Sequence, residues 1–247
     1  MRRNRRAEKS VVQFSIVDAL VAGLFDGVFT VGRIARSGTL GLGCGDHMDG
    51  ELVVLDGEFR LFHGDGRMTV LGASDSLAFA EVVDFEPESS ELVESVPSLE
   101  ALLAAIHSRV ASENIFHAVR FDAHFASISL REAKRQSKPY LPLAEAVHDQ
   151  RENVVTDVTG TLLGFIAPRV FQGITVAGAH FHFVDGNGTV GGHVLGLEGA
   201  TGSLAVESYS GVSVRLPSSA EFLAADLDLA GAEADGAIRH AETDHQR

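Results

Sequence analysis

Three histidines flank one turn, and together they constrain this part of the chain to a β-hairpin. His180 and His182 lie in the segment GAHFHFVDGNG, and His193 follows in TVGGHVLGLE. Residues two apart on a strand point to the same face of a sheet, so the first two imidazoles share one face. The DGNG sequence at 185–188 predicts a tight turn, because glycine and asparagine accept the positive φ that hairpin turns need.

The centre of that turn decides which histidine lies opposite His193. A turn centred on 186–187 places it opposite His180, and one centred on 187–188 places it opposite His182. Both registers bring the three imidazoles to one face, whereas a bulge at 191–192 would rotate His193 away. One histidine on a strand is usually structural, but three with an open fourth position are typical of a catalytic zinc. We therefore predict a metal site at His180, His182 and His193, although such a set also accepts copper, nickel, cobalt or iron.

The charge of the chain excludes two classes of partner. A formal net charge of −14 argues against binding nucleic acid or an anionic membrane, since both require a cationic surface. The only cysteine, Cys44, cannot form an intrachain disulfide, which fits a reducing cytoplasm. The basic start MRRNRRAEKS is followed by an apolar stretch that Gln13 and Asp18 interrupt, and no apolar run is long enough for a membrane span. We expect a cytoplasmic protein.

Apolar spacing along the chain predicts helices at 16–25, at 99–111 after a Ser98 N-cap, and in the tail after Ala220. After the Lys138-Pro139 break, the segment LAEAVHD at 143–149 is predicted as a short helix. Strands broken by glycine occupy most of the rest, with hairpin turns at Asp56-Gly57 and Asp65-Gly66. The acidic stretch EPESSELVESVPS is predicted as a solvated connector.

This pattern predicts an α+β fold with two halves that each contain a sheet. We place the boundary near residue 108, with a mixed-sheet N-terminal domain at 1–108. A β-rich, metal-binding C-terminal domain would then occupy 109–247, with its tail returning to the active site.

Five segments give the chain a resemblance to a known family. They are VVQFSIVDALVAGLFDG, GTLGLGCGDHMDGELVVLDGEF, NIFHAVRFDAHFASISLREAKRQSKPYLPL, GFIAPRVFQGITVAGAHFHFVDGNGTVGGHVLGL and VRLPSSAEF. In both composition and spacing, the chain resembles α-acetolactate decarboxylase nearly from end to end. The order of the arginine-containing strand, K-P-Y-x-P, HxHF and GGHV is specific to this family.

The resemblance implies a two-domain protein, often a homodimer, with zinc on His180, His182 and His193. It also implies an arginine beside the metal, which matches Arg131 in SLREAKRQ, and a glutamate that matches Glu51 in MDGEL.

Three further positions follow from the same resemblance. A second glutamate from the C-terminal tail is best matched by Glu242. Cys44 stands where the family usually has a threonine near the substrate, and Ala179 replaces a common tyrosine. These departures would alter specificity or rate and leave the chemistry in place.

The implied reaction converts (S)-2-acetolactate to (R)-acetoin and carbon dioxide, in acetoin and butanediol biosynthesis. Loss of carbon dioxide leaves an enediolate, whose charge a Lewis acid stabilises, so the metal replaces the organic cofactors of other decarboxylases. Arg131 would orient the substrate with its planar fork, and Glu51 or Glu242 would deliver the proton that sets the chirality of the product.

Two other functions compete with this one. The order H-x-H and then histidine also resembles a cupin-type metal-dependent oxygenase, but cupins usually add a glutamate shortly after H-x-H. Here the stretch is FVDGNG, where Asp185 falls in the predicted turn. A non-catalytic relative that binds a small molecule is the other alternative, and the change at Cys44 is its only support. Zinc content together with acetoin formation would separate the three.

Overall fold

The computed structural model describes residues 9–146 and 150–227. Its strands are β1 (Ser10–Phe14), β2 (Phe29–Thr30), β3 (Leu40–Gly45), β4 (Glu51–Leu55), β5 (Glu58–Phe62), β6 (Met68–Val70), β7 (Ser76–Val83), β8 (Glu91–Ser98), β9 (Phe116–Ala133), β10 (Gln150–Ala167), β11 (Gly178–Asp185), β12 (Gly191–Tyr209) and β13 (Gly211–Arg215). Its α-helices are α1 (Val17–Val21), α2 (Val31–Ile34), α3 (Leu99–His107), α4 (Leu143–Ala146) and α5 (Ala220–Ala224), with 3-10 turns at Asp46–Met48 and Arg169–Phe171. The fold is mostly β.

The strands form two sheets, as predicted. The first has the order β13-β1-β7-β3-β4-β5-β6, with β2 also paired to β7, and β1 and β13 run parallel. The second has the order β11-β10-β9-β12-β8 and is antiparallel. An additional pairing between β11 and β12 joins the first and fourth strands of that order. The α part is smaller than expected, since no described helix exceeds nine residues.

Local turn and cap chemistry accounts for several predicted features. Asp56 and Gly57 adopt φ values of 52° and 79° between β4 and β5, and Gly66 adopts 85° between β5 and β6, so both predicted hairpins are confirmed. The Ser98 side chain accepts a hydrogen bond from the Ala101 N–H at 3.3 Å, which confirms the predicted N-cap of α3. These features depend on neighbours in sequence only.

The predicted helix at 16–25 is shorter than the apolar spacing indicated. It covers Val17–Val21, and Gly23 then takes a φ of 77° while its N–H donates to the Leu20 carbonyl. A left-handed glycine ends a helix because the backbone can no longer continue the hydrogen-bond ladder. In the tail, helix α5 ends at Ala224, and residues after 227 lie outside the described part.

The prediction of a solvated connector at 86–98 is wrong for its second half. Glu91–Ser98 forms β8, the edge strand of the second sheet, paired with β12. Val96 is buried with Leu102 and Ile106 of α3, whereas the acidic side chains of β8 face outward. An edge strand tolerates such charges, which also discourage pairing with another chain.

The two sheets draw on both halves of the sequence. Strand β8 precedes residue 108 but belongs to the second sheet, and α3, which also precedes this residue, packs against the same sheet. Strand β13 follows residue 108 but belongs to the first sheet. The domain boundary near residue 108 stays a prediction. Within the described residues, no helix is long and apolar enough to cross a membrane.

A shared core joins the sheets and sets the position of the site. Leu42 and Phe79 from the first sheet belong to the same buried cluster as Leu163, Phe165 and Val184 from the second. Alternation along each strand sends every second side chain into this layer. The candidate site lies in the same layer, where β4 approaches β11.

Candidate metal centre and its pocket

The histidine hairpin adopts the second of the two predicted registers. His182 pairs with His193, Phe183 with Gly192, and Val184 with Gly191, so the turn is centred on 187–188. These pairs run without a bulge at 191–192. The irregularity of β12 falls beyond His193, between Val194 and Gly196 where it pairs with β9.

One carboxylate organises the turn between the two histidine strands. Asp185 Oδ1 accepts hydrogen bonds from the N–H groups of Thr189 and Val190 at 2.6 and 2.7 Å, and its Oδ2 accepts one from Asn187 N–H at 3.3 Å. Its oxygens are therefore engaged by backbone amides, as in the loops that aspartate side chains stabilise. This use of Asp185 removes the one candidate for a cupin-like acidic ligand after H-x-H.

The three imidazoles are buried and close together. Their ring centroids are 5.1, 5.1 and 5.4 Å apart, and one nitrogen from each of His180, His182 and His193 lies within 4.8 Å of the others. Exposed fractions are 8%, 1% and 2%. Because three imidazole nitrogens at this spacing are a donor set that suits zinc, the residues present fit the metal that the sequence predicted.

Strand β4 orients the central histidine of the group. His182 Nδ1 lies 2.7 Å from the Leu52 carbonyl oxygen, so this nitrogen donates its proton to the backbone and Nε2 is left as the ligand nitrogen. Nε2 lies 3.4 Å from Oε2 of Glu51, the preceding residue on β4. Consecutive residues of one strand thus place a carbonyl behind the ring and a carboxylate in front of it.

His180 is held in the neutral form that metal binding requires. Burial, together with the positive charge of Arg131, lowers the pKa of His180 to about 3. A neutral imidazole offers a lone pair, whereas a protonated one does not. The Arg131 charge is buried near the histidines, since only 5% of this residue is exposed.

Arg131 and Glu51 reach the histidine group from different sheets. Arg131 lies on β9 directly across from His193 on β12, and Glu51 begins β4 directly across from Cys44 on β3. The structure therefore brings together residues separated by about half the chain. Glu242, the third predicted acid–base residue, lies outside the described residues.

These side chains line one pocket between the sheets. The pocket measures about 610 Å³ when counted to its open mouth. Its polar side is formed by Cys44, Glu51, Arg131, His180 and His182. Its apolar side, which sequence reasoning missed, includes Leu20, Met48, Phe79, Leu143 and Val176. No local signal distinguished these from other core residues, because each is simply an apolar side chain facing inward.

A second group of ligating side chains lies near the same loops. Asp26, Asp46 and His47 are close enough to hold an ion, but each is partly exposed. Lys138 forms an ion pair with Asp26 at 2.5 Å, and the Tyr140 hydroxyl donates to the other oxygen of Asp26 at 2.6 Å. The ammonium of Lys138 and the hydroxyl of Tyr140 therefore already pair with Asp26, and these contacts attach the K-P-Y segment to the loop that carries it.

The fold and the site identify the chain as a two-sheet β protein with a candidate mononuclear metal centre in a pocket between its sheets. The sequence profile of the alpha-acetolactate decarboxylase family matches residues 11–229. The chain is 36% identical to the alpha-acetolactate decarboxylase of Methanosarcina mazei, over 91% of this chain and 78% of that protein. It is 33% identical to that of Bacillus subtilis, over 88% of this chain and 86% of that protein.

Solved structures agree with these sequence matches. The crystal structure of alpha-acetolactate decarboxylase from Bacillus subtilis strain 168 superposes with a TM-score of 0.91 at 32% identity, covering 94% of this chain and 99% of that one. A Staphylococcus aureus protein described as similar to alpha-acetolactate decarboxylase superposes with a TM-score of 0.89 at 27% identity, covering 94% and 100%. The chain belongs to the alpha-acetolactate decarboxylase family, a family of carboxy-lyases. The resemblance inferred from the sequence is confirmed.

Proposed function

We propose that this chain converts (S)-2-acetolactate to (R)-acetoin and carbon dioxide, in acetoin and butanediol biosynthesis. One observation carries the proposal: in a member of this family, a buried arginine and a buried glutamate line the same pocket as His180 and His182, which form a ligand group with His193. The substrate is a small anion, and the polar side of the pocket offers a fixed cation to receive it. A homodimer and a cytoplasmic location stay predictions.

Zinc is the metal we propose for His180, His182 and His193. When bound, it would supply a Lewis acid that stabilises the negative charge developing on the ketone oxygen as carbon dioxide leaves. His182 is suited to hold it because the Leu52 carbonyl fixes the orientation of the ring.

Arg131 would orient the substrate through its guanidinium. Two parallel N–H groups match a carboxylate or a pair of adjacent oxygens, and burial strengthens this interaction by excluding water. In the reaction, the bond between carbon 2 and the carboxylate breaks, and its electron pair moves toward the ketone. The arginine would place the departing carboxylate so that this bond aligns with the ketone π-system.

Glu51 would deliver the proton that replaces carbon dioxide on carbon 2. Its carboxyl lies on the pocket wall, 3.4 Å from His182 Nε2, and the residue is 8% exposed. A proton donor held on one side of a planar intermediate sets the chirality of the product. We assign the tail residue Glu242 as the second acid–base group. Cys44, across from Glu51 on the neighbouring strand, would contact the substrate in place of a hydroxyl.

The test is acetoin formation by purified protein, measured by colour reaction with and without a chelator. We expect activity without added thiamine or pyridoxal phosphate, its loss on dialysis against chelator, and its recovery with zinc alone. Metal analysis of wild type and a His193→Ala variant provides the control, because the variant should lose both metal and turnover.

Full activity in a verified metal-free preparation would refute the role of the metal. Oxygen consumption instead of acetoin would indicate the cupin-type reaction, and binding without turnover would indicate the non-catalytic relative.

A further inference from the structure

Glu81 is a buried acid that the proposed chemistry does not use. It lies on β7, a central strand of the first sheet, and its exposed fraction is 0%. Its Oε2 accepts a hydrogen bond from the Thr175 hydroxyl at 2.9 Å. Its Oε1 has no hydrogen-bond partner within the described residues. A carboxylate in such a place is costly, so the neutral acid is favoured.

Among the residues that the structure describes, no cation pairs with Glu81. The cross-strand neighbours of Glu81 are Gln13 on β1 and Leu42 on β3, and its hydrogen-bond partner is Thr175. On α1, the titratable group beside the segment that covers Glu81 is Asp18, whose N–H donates to the Gly173 carbonyl, and this group is also an acid. Burial accordingly raises the pKa of Glu81 to about 7, against the opposing effect of the Thr175 hydrogen bond.

The partner of Glu81 belongs to the segment that enters the histidine strand. Residues 168–177 connect the end of β10 to the start of β11, which carries His180 and His182. Thr175 is 1% exposed, and the next residue, Val176, lines the pocket. Glu81 therefore forms a hydrogen bond with Thr175, the residue immediately before a residue that lines the pocket.

A second buried side chain holds the adjacent residue. Gln13 Nε2 donates to the Ile174 carbonyl at 2.6 Å and to the Ser15 carbonyl at 2.9 Å. Gln13 lies directly across from Glu81 on the neighbouring strand. Side chains of the paired strands β1 and β7 therefore form hydrogen bonds with the consecutive residues 174 and 175. Phe79, two residues before Glu81 and on the same face of β7, also lines the pocket.

We propose that neutral Glu81 is a positioning residue that fixes the wall at 174–176, and that its ionisation releases this wall and lowers turnover. A buried carboxylate without a cation can regain water only if the covering segment moves away. That movement would displace Val176 and loosen the entry to the histidine strand. The activity part of this inference rests on the proposed function, whereas the structural part does not.

The kinetic test compares kcat/KM from pH 6 to pH 8.5 in wild type, Glu81→Gln and the exposed-residue control Glu88→Gln. The glutamine side chain keeps the acceptor for Thr175 and cannot ionise. Because about nine-tenths of a group with a pKa near 7 is ionised at pH 8, we expect the ratio of wild type to Glu81→Gln to fall about tenfold from pH 6 to pH 8. The control should keep a constant ratio. A constant ratio for Glu81→Gln as well would overturn the proposal.

Variants at the partner test the contact itself. Thr175→Val keeps the shape and removes the donated hydrogen bond, so we expect KM to rise several-fold at pH 6. Thr175→Ser keeps the hydroxyl and should stay within twofold of wild type. Equal KM values for the two variants would contradict the assigned contact.

Two structural measurements need no turnover. Infrared spectra of metal-free protein should contain a protonated-carboxyl band at pH 6 that is absent from Glu81→Gln and disappears in wild type by pH 8. Hydrogen exchange at 172–177, corrected for its intrinsic pH dependence, should accelerate about tenfold in wild type over the same interval and not in Glu81→Gln. If both changes occur in a chain that makes no acetoin, the switch stands and the proposed function fails. If neither occurs in an active enzyme, the switch is wrong.

Discussion

Replacing Glu81 with glutamine should change how the stability of this protein depends on pH. The pKa of this carboxyl is about 7 in the folded chain, compared with 4.5 as its ordinary value, because burial disfavours the charge. Between these two values the folded state binds a proton that the unfolded state has released. The free energy of unfolding therefore falls as pH rises through this window, and the contribution of the neutral acid is complete only below about pH 4.5.

The size of the effect follows from the difference between the two pKa values. About 2.5 units at 1.36 kcal/mol per unit correspond to about 3 kcal/mol, a large share of the 5–15 kcal/mol typical of a folded domain. Glu81→Gln removes the titration and keeps the hydrogen bond from Thr175. Relative to this variant, wild type should lose about 3 kcal/mol of unfolding free energy between pH 4 and pH 8.

The assay is equilibrium unfolding in urea at half-unit pH intervals, on chelator-treated protein so that metal loss does not enter. Contributions from the histidines and the other carboxyls are common to both proteins and cancel in the difference. Glu88→Gln, which alters an exposed acid, should show a difference that stays within about 0.5 kcal/mol across the range. A flat difference for Glu81→Gln would refute the reasoning, because the folded carboxyl would then titrate as it does in the unfolded chain.

The remaining predictions concern the pocket. Arg131→Lys keeps the charge and loses the planar fork, so activity should fall about 10²-fold while metal content stays near normal; an unchanged rate would remove Arg131 from the site. Glu51→Gln should retain the metal and lose about 10²-fold or more of turnover, because an amide cannot exchange the proton, and metal loss in this variant would instead assign Glu51 to metal binding. Truncation before Ala237, which removes Glu242, should lower the rate about 10²-fold in a folded protein, and a wild-type rate would show that this glutamate is not needed.

The sequence alone determined the features that depend on near neighbours. The H-x-H pair shares a face because strand side chains alternate, and the DGNG turn follows from residues that accept positive φ. The Ser98 cap and the Asp56-Gly57 hairpin are local for the same reason. The sequence left two registers of the turn open, because the alignment of the histidine strands also depends on how β11 pairs with β10 and β12 pairs with β9.

Tertiary structure alone decided what surrounds the histidines. The carbonyl that orients His182 comes from Leu52, 130 residues earlier, and this contact exists only because β4 packs against β11. The acidic stretch became an edge strand because Val96 finds a core beside α3, which outweighs the preference of its neighbours for water. In the sequence, nothing distinguishes Glu81 from an ordinary charged residue. It is buried because the segment that contains Thr175, almost a hundred residues away, packs over it. The periodicity of apolar residues predicts which face of a strand a side chain lies on, whereas only the packing of the sheets decides which residues that side chain contacts.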